Sequence, residues 1–160
     1  MILPPIGAGA ESKVAETTCA YREAMRAAAA LRPDTVVVIS PHATCYGDYF
    51  HISPGVWAEG NFGAFGHPEL TVGIEYDEDF VRALSACATA QDVPAGTIGE
   101  KETTLDHGTM IPLVFLSEYL GDAPTKFVRI GVSGLPAATH AALGKCIAET
   151  AAKLGRRTIY

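Results

Sequence analysis

The sequence predicts an α/β domain with three layers and a mostly parallel central sheet. Two observations carry this prediction. Segments with helical and with strand patterns alternate along the chain, and the strand segments are short apolar runs typical of strands covered on both faces. The chain has 160 residues, of which 48% are hydrophobic. A chain of this length can bury one substantial core, so we expect a single domain spanning residues 1–160.

The first part of the chain contains the first predicted helix and the strand that follows it. Residues 11–31 are rich in Ala, Glu and Arg, which are good helix formers, and apolar residues recur there at helical spacing. Pro33 ends this helix because the residue before a proline avoids the helical region. Residues 35–40 (TVVVIS) form a β-branched run that indicates a buried strand. Residues 41–70 are rich in glycine and aromatic residues and predict a long, functional loop.

The remaining residues continue the alternation of helices and strands. Asp77 and Thr139 are expected to cap helices, since their side-chain oxygens can accept hydrogen bonds from amides of the first turn. Pro112 fits the first turn of another helix, where its missing N–H has no partner to lose. In chain order, we predict a strand at 71–76, a helix at 78–90, a loop at 91–108, a helix at 110–120, a strand at 127–133, a helix at 140–154 and a strand starting at 158.

Composition and missing motifs exclude several classes of protein. The net charge of −6, without a basic patch, argues against electrostatic binding to nucleic acid. No apolar run approaches the ~20 residues of a membrane helix, and the N-terminus lacks signal-peptide features, so we expect a cytoplasmic protein. The 4 cysteines are far apart and are expected to be reduced, mostly buried thiols. No glycine-rich nucleotide loop or nucleophile elbow is present.

A histidine directly follows the first predicted strand. Ser40, Pro41 and His42 lie at its carboxyl end, where open α/β sheets gather their ligand sites. The proline restrains the backbone, so His42 is expected to be held in place. A neutral imidazole at this position suits metal binding or acid–base chemistry. A loop histidine hydrogen-bonded to a backbone carbonyl is an equally open interpretation.

A second histidine has an acidic neighbour. The sequence Leu105-Asp106-His107-Gly108 precedes the predicted apolar helix. Asp106 could orient the His107 imidazole and raise its basicity. Alternatively, Asp106 caps the helix and His107 is exposed to solvent. Adjacent Asp and His residues are frequent by chance, so their pairing alone does not indicate a functional site. Gly108 permits close approach of another group to the backbone.

The long loop supplies further polar candidates. Tyr46 and His51 are candidate substrate-binding residues, although the Tyr46 hydroxyl could equally have a structural role. Cys45 is a possible ligand or thiolate, or a buried inert thiol. A weaker hypothesis joins His42, Cys45 and His51 in the zinc site of a hydrolase.

Three stretches together resemble a known enzyme family: residues 33–42 (PDTVVVISPH), 48–55 (DYFHISPG) and 105–113 (LDHGTMIPL). They are similar to the class III extradiol ring-cleavage dioxygenases, proteins like the LigB catalytic subunit of aromatic-ring-opening dioxygenases. Within that family the sequence looks closest to the dioxygenase-like domain of AmmeMemoRadiSam system proteins, which are related to the Memo proteins. The resemblance covers almost the whole chain.

The resemblance implies a chemistry and roles for the histidines. Members of the family hold non-haem Fe(II) with two histidines and one carboxylate, and they open catechol rings with O₂. His42 matches a metal-binding histidine. His107 matches an active-site histidine that assists acid–base chemistry, and Asp106 would orient it. The expected partners are a small aromatic substrate and O₂, and we expect a homo-oligomer.

The sequence also departs from the family pattern. No histidine precedes His42, whereas the family's first metal histidine lies in a Pro-His-Pro motif near its N-terminus. The family's later histidine and metal carboxylate would follow Tyr160. We therefore expect a partial domain, incomplete relative to the family, that associates through a sheet edge near Tyr160. The alternative function is a non-catalytic, Memo-like binding or interaction domain that has lost the metal site.

Overall fold

The computed structural model describes residues 2–101 and 103–160, and these form an α/β fold as predicted. The helices are α1 (Pro4–Gly7), α2 (Ala15–Ala30), α3 (Glu78–Ala90), α4 (His107–Leu120) and α5 (Ala137–Leu154). The strands are β1 (Thr35–Ser40), β2 (Phe50–His51), β3 (Trp57–Phe62), β4 (His67–Glu75), β5 (Ala95–Gly96), β6 (Lys126–Gly131) and β7 (Thr158–Ile159). Short 3₁₀ segments cover Ala10–Val14 and Gly63–Phe65.

The central sheet is parallel, with strand order β6-β1-β7. Strand β1 pairs along its whole length with β6, from Thr35 opposite Lys126 to Ser40 opposite Gly131. Only the first two residues of β1 pair with β7. The TVVVIS run therefore forms the middle strand. Its last residue, Ser40, lies where the parallel strands have their carboxyl ends.

Helices cover both faces of this sheet, which gives the predicted three layers. On one face, Val37 and Ile130 belong to a buried cluster that includes side chains of α3 and α5. On the other face, Val36 and Phe127 belong to a second cluster with side chains of α2 and α4. Neighbouring residues of β1 thus point into different cores, as the period of two in a strand requires.

Several predicted element boundaries need correction. The helix predicted at 11–31 begins as a 3₁₀ segment, and its α-helical part is Ala15–Ala30. Helix α4 begins at His107 rather than at residue 110, because Asp106 accepts a hydrogen bond from the amide of Thr109 and caps it. Helix α5 begins at Ala137 after Pro136, so Thr139 lies inside the helix and does not cap it.

The helix predicted at 78–90 is confirmed, and so is its cap. Asp77 accepts a hydrogen bond from the Phe80 amide at 3.1 Å. The same buried carboxylate accepts a 2.6 Å hydrogen bond from the hydroxyl of Thr35 at the start of β1. One side chain therefore fixes the start of α3 against the central strand.

The stretch predicted as a long loop contains regular structure. Strands β3 and β4 form an antiparallel hairpin in which Trp57 pairs with Glu75. Alternate residues of β3, Ala58, Gly60 and Phe62, are buried. Strands β2 and β5 form a short parallel pair. The sheet content is thus parallel at the centre, with an antiparallel hairpin beside it. No helix in the described ranges is long and apolar enough to cross a membrane.

Candidate functional site: a histidine pair at the end of the central strand

The structure brings His42 and His107 together, although they are 65 positions apart in the sequence. Their ring centroids are 4.1 Å apart, and the ring planes are tilted by 40°. His42 follows the carboxyl end of β1, and His107 is the first residue of α4. His42 is exposed and His107 is half-buried, so both imidazoles can be reached from solvent.

A glycine makes room for this pair. A Cβ atom added at Gly108 would lie 2.6 Å from Cδ2 of His42 and 2.8 Å from Oγ of Ser40. Real Cβ atoms essentially never come so close to other heavy atoms. The bare backbone at the first turn of α4 is therefore part of the site, because it is the surface on which His42 rests.

Asp106 links the end of β1 to the first turn of α4. Its carboxylate accepts hydrogen bonds from the hydroxyl of Ser40 at 2.6 Å and from the hydroxyl of Thr109 at 2.7 Å. It also accepts a 2.9 Å hydrogen bond from the Thr109 amide. Asp106 is therefore the helix cap that the alternative interpretation predicted. It positions His107 by fixing the helix on which that residue stands.

A buried arginine completes the electrostatics of this network. Arg129 lies on β6 with 6% of its side chain exposed, and its guanidinium is 3.9 Å from Asp106. It also donates hydrogen bonds to Ser53 and to the Thr104 carbonyl, each at 2.8 Å. Burial alone would raise the pKa of Asp106, but hydrogen bonds from Ser40 and Thr109, helped by the Arg129 charge, lower it below 3.8. The carboxylate is therefore ionised at neutral pH.

A small cavity opens beside His42. Its volume is about 220 Å³, below the 300–1,000 Å³ that is usual for drug-sized ligands, so it suits a small molecule. Its lining combines the imidazole of His42 with both charges of the network, Asp106 and Arg129, and with the residues Ala43, Thr44, Glu100, Thr104 and Leu105.

Larger cavities lie away from the histidines. One of about 570 Å³ lies between the N-terminal segment, β4 and α4, and another of about 850 Å³ lies near Arg26 and Asp122. Neither has a histidine or cysteine in its lining. The smaller cavity is therefore the better candidate for chemistry, because size alone does not supply acid–base or ligating groups.

The two candidate substrate-binding residues, Tyr46 and His51, lie outside the cavity beside His42. The Tyr46 hydroxyl accepts a 3.0 Å hydrogen bond from the amide of Glu100, as the structural alternative expected. His51 lies on β2 with 2% exposure, and its Nε2 has no hydrogen-bond partner in the described structure. Burial, and secondarily the Arg129 charge, lower the pKa of His51, so this imidazole is neutral at pH 7. Neither side chain lines the cavity beside His42.

Two residues near the histidine pair were not predicted from the sequence to belong to the site. Arg129 lies in a β-branched strand pattern that gave no signal for a buried charge. Phe65 packs edge-on against His107, with 5.4 Å between ring centroids, while 39% of it remains exposed. Phe65 belongs to the glycine- and aromatic-rich stretch, and that composition was the only available signal.

The described residues do not complete a metal site. Across residues 2–101 and 103–160, no group of three or more His, Cys, Asp or Glu side chains is arranged to hold a metal ion. The hypothesis of a zinc site from His42, Cys45 and His51 is therefore wrong for this part of the chain. The pair of imidazoles offers two nitrogen donors, which is short of the set of two histidines and one carboxylate.

A pair of imidazoles, of which His42 lines a small polar cavity, lies at the strand ends of a parallel α/β sheet. Such an arrangement can support acid–base or metal-assisted chemistry on a small ligand. The family model for the catalytic LigB subunit of aromatic ring-opening dioxygenase matches residues 1–158. The chain therefore belongs to the LigB family, which is generally dependent on non-haem iron. The specific relationship to Memo-type proteins stays a prediction.

A similar protein is Protein CA_C1420 of Clostridium acetobutylicum. It is 23% identical over 167 residues, and the match covers 100% of this chain and 35% of that protein. The chain thus spans about a third of the length of the curated relative that it matches.

Proposed function

We propose that this domain contributes a metal-ligating histidine, His42, and an acid–base histidine, His107, to an extradiol-type dioxygenase site that acts on a small catecholic substrate. The observation that carries the proposal is the 4.1 Å approach of the His42 and His107 rings at the end of β1, in a chain of the LigB family. His42 would be a ligand to Fe(II). The remaining ligands would have to come from polypeptide other than the described residues.

The proposed roles of the two imidazoles differ with their surroundings. His107 stands at the start of α4, where Asp106 fixes the helix, so its ring is suited to accept and return the proton of a substrate hydroxyl. His42 rests on Gly108 and lines the cavity, so its ring is suited to bind Fe(II) next to a substrate in that cavity. Phe65 shields one side of His107 and supplies an apolar edge for an aromatic ring.

Binding and turnover test the proposal separately. The probe for binding is 4-nitrocatechol, whose absorbance changes when a hydroxyl is deprotonated, measured with and without Fe(II) under anaerobic conditions. We expect His107→Gln to remove most of the metal-independent absorbance change, since a glutamine side chain cannot accept the proton of the bound hydroxyl. We expect His42→Gln to remove the additional effect of Fe(II).

A matched control histidine lies outside the pair. His67 is on β4 and hydrogen-bonds to Glu69, so His67→Gln should leave both signals unchanged. Oxygen uptake with catechol and Fe(II) then tests turnover. If the wild type consumes oxygen and both site variants do so at the wild-type rate, the proposed roles are wrong.

A second candidate function is a non-catalytic binding domain that keeps the scaffold. The lack of a three-donor group in the described residues favours it. It predicts that the chain binds 4-nitrocatechol or another small phenol but consumes no oxygen with Fe(II) present. Oxygen uptake that depends on His42 would exclude this candidate.

A further inference from the structure

Two thiols approach each other where α3 packs against α5. Cys146 is fully buried in the core cluster on that face of the sheet, and Cys87 is half-buried and packs against the same cluster. Cys87 thus packs against the cluster that contains Cys146, and its Sγ reaches Glu149, which lies three residues after Cys146 on α5. This thiol pair belongs to a different core cluster from Leu105 and Met110, which flank the histidine pair.

Polar side chains hold Cys87 in place. Its Sγ lies 3.6 Å from a carboxylate oxygen of Glu149 on α5, and the side-chain amide of Gln91 donates to the same sulfur at 3.4 Å. Gln91 also donates to Glu149 at 2.5 Å, which joins the two helices through side chains. The Cys87 sulfur is therefore oriented into the interface that contains Cys146.

We propose that Cys87 and Cys146 are a redox-modification site and form a reversible intramolecular disulfide when the protein meets a peroxide. A disulfide needs two cysteines on neighbouring backbone segments, and the packing of α3 on α5 provides them. Such a bond would join the two helices that form one outer layer of the fold.

The surroundings of the two sulfurs give them different roles. Burial, followed by the neighbouring Cys87 and Glu149, raises the pKa of Cys146 to about 11, so Cys146 stays protonated at neutral pH. Cys87 retains contact with solvent, so a peroxide can reach its sulfur, whereas Cys146 is fully buried. Cys87 is therefore the sulfur that reacts first, and Cys146 is the resolving thiol.

The chemistry balances with hydrogen peroxide as the oxidant. The Cys87 sulfur attacks one peroxide oxygen, the O–O bond breaks, and the thiol proton leaves with the other oxygen as water, giving a sulfenic acid. The Cys146 sulfur then attacks Cys87, the S–O bond breaks, and the second water leaves with the Cys146 proton. Two thiols are oxidised by two electrons in total, and one peroxide is reduced to two waters.

Peptide mapping tests the proposal directly. The full chain is treated with hydrogen peroxide, its remaining thiols are blocked with an alkylating agent, and it is digested with trypsin without reductant. Cleavage after Arg82, Lys101, Lys145 and Lys153 places the two cysteines in peptides 83–101 and 146–153. We expect these two peptides to be joined with a mass 2 Da below their sum, and a dithiol reductant to separate them.

Variants separate this pairing from other oxidation. Cys146→Ser should abolish the joined peptide and leave a sulfenic acid on Cys87 that dimedone traps, whereas Cys87→Ser should leave Cys146 unoxidised. Cys19→Ser and Cys45→Ser, at exposed positions, should not change the joined peptide. We also expect the oxidised wild type to unfold about 10 °C higher than the reduced form, because the bond closes a long loop.

Peptides 83–101 and 146–153 recovered separately from peroxide-treated wild type would overturn the proposal. So would a joined pair that instead contains Cys19 or Cys45. These outcomes do not depend on the variants being folded, since the wild-type digest alone decides the pairing. They also do not depend on the proposed dioxygenase function, because neither histidine of the pair takes part.

Discussion

The imidazole of His42 rests on the backbone of Gly108, so close that a Cβ at residue 108 would lie 2.6 Å from Cδ2 of His42. Alanine at position 108 should therefore move the ring of His42 away from that of His107. We expect Gly108→Ala to remove the Fe(II)-dependent part of the 4-nitrocatechol signal. Loss of that part with an unchanged far-ultraviolet circular dichroism spectrum is the expected result.

Gly144 provides the matched control for this substitution. It lies inside α5, and a Cβ there would meet no heavy atom within 4 Å. Gly144→Ala should stabilise the protein by about 0.5–1 kcal/mol in urea unfolding, since alanine restricts the unfolded chain and favours helix. If Gly108→Ala also leaves the protein as stable as the wild type and keeps the 4-nitrocatechol signal, the close contact between Gly108 and His42 is not needed for binding.

Removing Asp106 should cost both stability and the site. Asp106→Ala deletes the cap of α4 and leaves the hydroxyls of Ser40 and Thr109 without their acceptor. We expect a loss of about 1–3 kcal/mol in the free energy of unfolding, measured with urea. Asp48→Ala, at an exposed position, should change it by less than about 0.5 kcal/mol.

The charge of Asp106 also gives a pH signature. Its pKa is lowered in the folded protein, so the carboxylate contributes stability above the unfolded pKa, and this contribution is lost as pH falls through the folded pKa. The difference in unfolding free energy between the wild type and Asp106→Asn should therefore be constant above about pH 5 and shrink below about pH 4. A difference that stays constant down to pH 3 would show that the charge is not stabilising.

His51 should make stability depend on pH in a different window. Burial lowers the pKa of His51 below 6.5, so the unfolded chain takes up this proton at a higher pH than the folded chain. The wild type should lose stability as pH falls from about 7 through the folded pKa, relative to His51→Gln, which cannot titrate. Urea unfolding of both proteins at pH 7.5, 6.5 and 5.5 measures this. Parallel curves would contradict the prediction.

Two tyrosines of the same loop form a natural pair for comparison. Tyr46 accepts a hydrogen bond from the Glu100 amide at 3.0 Å, and Tyr49 accepts one from the Ile98 amide at 3.4 Å. Tyr46→Phe should cost about 1 kcal/mol, and Tyr49→Phe should cost less, since its hydrogen bond is longer. Hydrogen exchange at the Glu100 amide should accelerate in the first variant only. Equal effects of the two variants would refute the assignment.

The sheet edge near Tyr160 is the expected surface for self-association, and this edge continues along the part of β1 that β7 leaves unpaired. Only the first two residues of β1 pair with β7, and Ile39 further along is 47% exposed. If copies of the chain associate there, Ile39→Lys should shift sedimentation toward the monomer, because a charge at a sheet edge opposes pairing. Val56→Lys, at a residue 54% exposed outside the sheet, should leave the sedimentation profile unchanged.

The strongest local patterns predicted the core of the fold. The TVVVIS run is the central strand, and the helix that Asp77 caps has the predicted bounds. The hairpin β3–β4 was missed because its buried positions include Ala58 and Gly60, which carry little apolar signal. Gly60 is small because the carbonyl of Leu105 and the sulfur of Met110 pack against it. That requirement comes from tertiary packing and leaves no trace in the local sequence.

The candidate site was predictable only in part, for a similar reason. The position of His42 after a strand and the glycine beside His107 were visible in the sequence. The buried guanidinium of Arg129 was not visible, because its partners Ser53 and Thr104 come from distant segments. The capping role of Asp106 was an open alternative, and only the start of α4 distinguished it from direct contact with the imidazole ring.

Asp106 caps α4 and also accepts the hydrogen bond from Ser40 beside the histidine pair, so the stability of the fold depends on a residue of the candidate site. A descendant of this domain could exchange His42 or His107 at little cost to its stability. It would still be selected to keep Ser40, Asp106 and Thr109, because these three residues hold β1 and α4 together. Aligned sequences with this polar triad but without the imidazoles would mark lineages in which the scaffold has been recruited for another purpose.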